Sequence, residues 1–85
     1  MEKQLKVMGI LVDNRPDIAP DVQRIITDFG ECILGRFGIP DPGGRDGLIT
    51  LVMECDDETC HQMTKRLCQI DGVSLNHMAV RREHC

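Results

Sequence analysis

The side chains in this 85-residue chain best equipped for metal or thiol chemistry are its five cysteines and three histidines, so their spacing is the first test of function. Cys55, Cys60 and His61 form a C-x4-C-H run; Cys32, Cys68, His77, His84 and Cys85 lie apart from it. If the segment after Cys55 is helical, Cys60 and Cys68 are separated by about 12 Å of axial rise, and His61 and Cys68 by about 10 Å. Zinc, with bonds of roughly 2.3 Å to sulfur and 2.0 Å to nitrogen, cannot join either pair. Cys55 and Cys60 can approach across a strand-to-helix turn with His61 adjacent, but C-x4-C-H is not a recognised zinc framework and brings two or three ligands at most. A thiol- or metal-binding protein using Cys55, Cys60 and His61 is therefore the rival reading. The plainer one makes both cysteines small core residues, as free cysteine often is. His77, between Leu75 and Ala79, reads as an interface histidine or a ligand. His84 and Cys85 close the sequence, where fraying is expected to defeat preorganised chemistry.

Other reaction classes find less support. The chain contains no G-x-S-x-G elbow, Walker loop, H-E-x-x-H pair or dinucleotide fingerprint, and Gly43-Gly44 lacks the following helix that a phosphate cradle needs. Asp56, Asp57 and Glu58 are the negative charges expected at a helix start rather than an acid–base pair. Asp13, Asn14 and Arg15 close an apolar run, and Arg15 beside a helix N-terminus can hold an anionic small molecule or simply occupy a solvated turn. On fold analogy alone, Arg15 would be the anion clamp of an acyl-phosphate hydrolase.

Composition narrows the partners. Ten basic against fourteen acidic residues give a formal net charge of -4, the wrong sign for neutralising phosphates over a broad surface. With Phe29 and Phe37 as the only aromatics there is almost no platform for stacked bases, so direct nucleic-acid binding is not expected. No apolar run approaches the roughly 20 residues of a membrane helix, and Glu2, Lys3, Gln4 and Lys6 interrupt any signal-like block. An odd number of irregularly spaced cysteines suits a reducing compartment. The expectation is a cytoplasmic single domain over residues 1–85 with no cofactor. Hydrophobic residues at 41% and charged ones at 28% are ordinary for a folded protein.

The elements that must position these groups follow from periodicity. Leu5–Val12 is nearly all apolar and rich in β-branched residues, the first strand. Val22, Ile25, Ile26 and Phe29 recur at helical spacing, with Pro20 and Asp21 suited to the first turn and Gly30 to the stop, predicting a helix from about Ala19 to Phe29. Ile33–Ile39, interrupted by Gly35 and Gly38, reads as an edge strand that a backbone or partner can approach closely. Residues 40–47, the densest cluster of chain breakers, read as an exposed hairpin loop. Leu48–Met53 is a third strand, apolar on both faces like the first. Asp56 is placed to open a second helix with Cys60, Met63, Leu67 and Ile70 as its inner stripe and Gly72 ending it. Val73–Ala79 alternates as a fourth strand.

The resulting β-α-β-β-α-β order is a split βαβ arrangement, an α+β fold. It implies a four-stranded antiparallel sheet in order 4-1-3-2 with both helices on one face. Leu5, Val7 and Leu11 point to one side of the first strand and Met8, Ile10 and Val12 to the other, while Leu48 and Val52 oppose Ile49, Leu51 and Met53 on the third. Two helices cover one face only. The uncovered apolar residues, each worth roughly 1.5–3 kcal/mol on full burial, imply a homo-oligomer, a dimer or a tetramer.

Several segments also resemble the small iron-only hydrogenase system regulator family. Ile33-Leu34-Gly35-Arg36-Phe37-Gly38-Ile39-Pro40 is close to that family's I-I-G-R-M-G-I-P. Met1-Glu2-Lys3, Val12-Asp13-Asn14-Arg15, Gly47-Leu48-Ile49-Thr50-Leu51-Val52, Leu67 after a basic residue, and Gly72-Val73-Ser74-Leu75 extend the likeness along essentially the whole chain. Lys65 and Cys68 stand where the family has glycines, and the loop around Gly43 is rich in Pro and Gly where the family's is rich in basic and acidic residues. The resemblance implies an ACT-like, ferredoxin-like domain akin to the C-terminal domain of the nickel-responsive regulator. It further implies a non-enzymatic, oligomeric regulator from an anaerobe, without a DNA-binding segment of its own, but carries over no ligand. Joined to the uncovered sheet face, the expectation is a sensor or regulatory module that takes a small-molecule effector or protein partner at subunit boundaries. The candidate effector and interface residues are Asp13, Asn14, Arg15, Gly35, Arg36, Phe37 and Gly38, with Arg36 and Phe37 alternating to opposite faces.

Overall fold

The structure is a computed structural model and describes residues 2–13, 18–39 and 46–81. Its elements run β1 (Gln4–Asp13), α1 (Ile18–Asp28), a 3-10 turn (Gly30–Cys32), β2 (Ile33–Ile39), β3 (Asp46–Cys55), α2 (Asp57–Cys68) and β4 (Val73–Ala79). The sheet order is β2-β3-β1-β4 with every neighbouring pair antiparallel, the expected 4-1-3-2 order read from its other edge.

Local chemistry explains the boundaries. Asp56 caps α2, its carboxylate accepting the Thr59 backbone N–H at 2.7 Å, and Lys65 and Arg66 occupy the last turn where the helix dipole favours positive charge. The helix ends at Cys68, earlier than the apolar stripe implies. Ile70 instead packs against the core from the turn beyond it, and Gly72, at φ 93°, supplies the left-handed residue that turns the chain into β4. α1 begins one residue before the expected start and stops one before Phe29. Asp46 and Gly47 belong to β3 rather than to the preceding loop, because β1 is long enough to pair with them at Asp13 and Val12. The rest of that loop, residues 40–45, lies outside the described residues.

The core lies between one sheet face and the two helices. Met8, Ile10 and Val12 from β1 and Leu51, Met53 and Cys55 from β3 meet Ile18, Val22, Ile25 and Ile26 of α1 and Cys60, Met63 and Leu67 of α2. Ile49, Val73 and Leu75 pack at its margin. β1 and β3, though apolar on both sides, are covered on this side only. Leu5, Leu11 and Val52 on the reverse side remain exposed, as do Phe37 and Ile39 of β2 and Met78 of β4.

Candidate functional site

The thiol cluster forms where β3 ends and α2 begins. Cys55 and Cys60 are both buried, and the Cys60 Sγ lies 3.8 Å from Nδ1 of His77, which faces the helices from β4 opposite Met8. Burial, then the neighbouring Cys60 and Cys32 thiols, push the Cys55 thiol up to about 11, against a smaller opposing effect of Lys6. Cysteine chemistry proceeds through the thiolate, so this is a poor nucleophile at neutral pH. A Cys–His pair can support nucleophilic catalysis, but Cys60 sits under the helix layer with 1% of its surface accessible, which leaves a substrate no approach. His61, one residue on, is turned about 100° around α2 and is exposed. Among the described residues no group of three His, Cys, Asp or Glu side chains could hold a metal ion. The trio Cys55, Cys60 and His61 is thus not brought together; Cys55 and Cys60 behave as core residues and His77 as a polar neighbour of Cys60.

Beside this cluster lies a pairing for which the sequence gives little sign. Lys6 is 5% exposed, and its Nζ donates to Oδ1 of Asp57 at 2.7 Å. That hydrogen bond holds the Lys6 ammonium above its ordinary range and the Asp57 carboxyl below it. The only sequence signal is a lysine on the inward side of an otherwise apolar strand. The interaction ties β1 to the first turn of α2.

The effector candidates divide into two places. Asp13 ends β1, with its N–H bonded to the Gly72 carbonyl at 2.9 Å and Asp46 as its cross-strand neighbour. Asn14 and Arg15 lie outside the described residues. Gly35, Arg36, Phe37 and Gly38 are on β2, at an edge of the sheet. Phe37 shares a cross-strand row with Thr50 and Gly9, so Asp13 is two strands away and four residues further along. That is roughly 10 Å across and 13 Å along the sheet, too far to grip one small molecule within a single copy. Arg36 turns to the helix side and donates to Oε1 of Gln23 at 3.0 Å. Phe37 turns to the open side and is 65% exposed, the alternation expected of them. An added Cβ at Gly35 would meet nothing within 4 Å, and one at Gly38 only the Leu48 carbonyl at 3.9 Å, so their own chain does not require either glycine for packing space.

A groove of about 500 Å³ crosses the open face between β1 and β4, lined by Val7, Gly9, Leu11, Leu48, Asn76 and Met78 among others. It exists because the row through its middle is made of small or polar residues: Gly9 lies between Thr50 and Asn76, with apolar rows on either side. No motif marks this groove; it appears only when three strands are in register. No helix among the described residues is long and apolar enough to cross a membrane.

Comparison with known proteins agrees with this architecture. A family profile described as "TM1266-like: Iron-only hydrogenase system regulator, putative" matches residues 4–77. The solved structure of the uncharacterised protein TM1266 from Thermotoga maritima is similar at a TM-score of 0.90 and 29% identity, covering 94% of this chain and 100% of that one. An unknown protein from Galdieria sulphuraria has a TM-score of 0.65 at 14% identity, over 98% of this chain and 48% of that one, a likeness of fold. No curated protein matches the sequence.

Proposed function

The chain belongs to the TM1266-like family of iron-only hydrogenase system regulators, and from that premise we propose a non-enzymatic regulatory domain that works as a homo-oligomer and responds to a small effector or protein partner bound at its subunit boundaries. The observation that carries the reading is the half-covered sheet. A regulator of this size needs a surface whose occupancy changes with its signal, and the open face offers one, with Phe37, Met78, Leu5, Leu11 and Val52 exposed together. Buried thiols and a structural Lys6–Asp57 pair supply no reacting group to that surface.

The test is genetic and physical. In a host that carries this gene and an iron-only hydrogenase, deletion should change hydrogenase transcript or hydrogen turnover, and a culture unchanged in both hydrogen-rich and hydrogen-poor conditions overturns the regulatory reading. Untagged protein should sediment as a dimer or tetramer at micromolar concentration; a well-folded monomer there removes the boundary site.

A further inference from the structure

The open face is self-complementary in a specific way. Its rows, read across β2, β3, β1 and β4, are Gly35–Val52–Val7–Met78, Phe37–Thr50–Gly9–Asn76 and Ile39–Leu48–Leu11–Ser74. On the two edges large opposes small in every row: Gly35 with Met78, Phe37 with Asn76, Ile39 with Ser74. The central strands pair Val52 with Val7, Thr50 with Gly9 and Leu48 with Leu11. In a single copy these edges are three strands apart, roughly 14 Å, so the match has no use within one chain. A two-fold axis along the strands, between β1 and β3, lays β2 of one copy over β4 of the other and brings every such pair face to face.

We infer that the occupant of this face is a second copy of the chain, packed sheet to sheet, with Phe37 of each copy seated in the other's groove over Gly9 and Asn76; this rests on the homo-oligomeric reading above. Three observations support it. The ring of Phe37 stands clear of its own chain at 65% exposure, while an added Cβ on Gly9 would meet nothing within 4 Å, so knob and hollow are both vacant in one copy. The three rows contain no charged residue; the nearest acids, Asp13, Asp46 and Glu54, lie at the ends of the strands. The face measures roughly 19 Å by 23 Å in plan, and its corrugated surface approaches the roughly 600 Å² per partner at which stable interfaces begin. Covering all four strands therefore matters, and the central axis is the one that does so. Aligned packing of two twisted sheets is an ordinary geometry.

The test uses full-length, untagged protein. Phe37→p-benzoylphenylalanine, photolysed in a mixture of isotopically light and heavy chains, should give light–heavy crosslinks at residues 9 and 74–78, positions mostly beyond reach in its own copy. Crosslinks concentrated at residue 37 or on the helices overturn the arrangement. Gly9→Leu and Phe37→Ala should each weaken self-association roughly tenfold or more by sedimentation, while their monomers stay folded by circular dichroism. The double variant, in which the side chain introduced at position 9 refills the space left by the ring, should associate more tightly than either single one. If wild type dimerises but the double variant is as weak as the product of the two losses, this packing is wrong and the oligomer stands. If wild type stays monomeric, the reading beneath it fails as well.

Discussion

Leu51 and Val52 are adjacent in β3 and occupy opposite worlds. Leu51 has no accessible surface, enclosed by Met8 across the sheet and by the helix layer, whereas Val52 is 42% exposed beside Val7 and Gly35. The same contrast runs along β1, where Met8, Ile10 and Val12 are buried while Leu5 and Leu11 are exposed. Large apolar residues stand on both faces of these two strands; what differs is whether the chain supplies a cover. One face is a core that stabilises the fold; the other leaves its apolar residues exposed.

The largest expected effect sits on the covered face. Leu51→Ala should destabilise the subunit by about 3 kcal/mol, because the cavity cannot be filled from solvent, whereas Val52→Ala should cost under about 1 kcal/mol when measured in urea at concentrations too dilute for association. Equal losses would break the comparison outright. Next comes the Lys6–Asp57 pair at the rim of the core. Asp57→Asn leaves the enclosed Lys6 ammonium without its counter-charge and should lower the melting temperature more than Lys6→Met, which removes the buried charge itself. The two titrations bound the pH window. Asp57, held low, contributes its stabilisation above the ordinary carboxylate value of 3.8 and loses it as pH falls through the depressed value. Lys6, held high, contributes below 10.5 and loses it as pH rises through the elevated one. Melting temperature against pH should therefore show this contribution flat between those limits, and Asp57→Asn should remove both shoulders.

A smaller effect separates the thiols. Cys68 is exposed on α2, while Cys55 is buried with its thiol at about 11 against an ordinary 9.0. Native alkylation at neutral pH, mapped by mass spectrometry, should modify Cys68 well before Cys55, since the shift alone lowers the thiolate fraction about a hundredfold. Comparable labelling would mean the covered face opens readily. The smallest difference is expected at Arg36, whose exposed bond to Gln23 should be worth within about 0.5 kcal/mol on alanine substitution. A larger loss from Arg36→Ala would make that edge of the sheet a structural tie between β2 and α1.

Much of this architecture is legible in the residues. Strand periodicity in Leu5–Val12 and Leu48–Met53, the i, i+3, i+4 stripe of α1 and the Asp56 cap each express a local rule, and β2 runs from Ile33 to Ile39 as expected. The end of α2 is less legible, because Ile70 continues the apolar stripe into a turn, and a stripe records burial rather than hydrogen bonding. The candidate site is legible in part. Arg36 and Phe37 diverge as alternation requires, yet Asp13 is far from both, since neighbourhood across a sheet depends on strand order and register.

From the residues alone came the element types, the excess of apolar strand surface and the absence of familiar catalytic motifs, all properties set by nearest neighbours along the chain. The enclosure of Lys6 by Asp57, the contact of Cys60 with His77, and the small-residue row that hollows the open face around Gly9 required the fold. Each joins groups at least 17 positions apart, and which of them meet is decided by the pairing register of the assembled sheet and the seating of its helices.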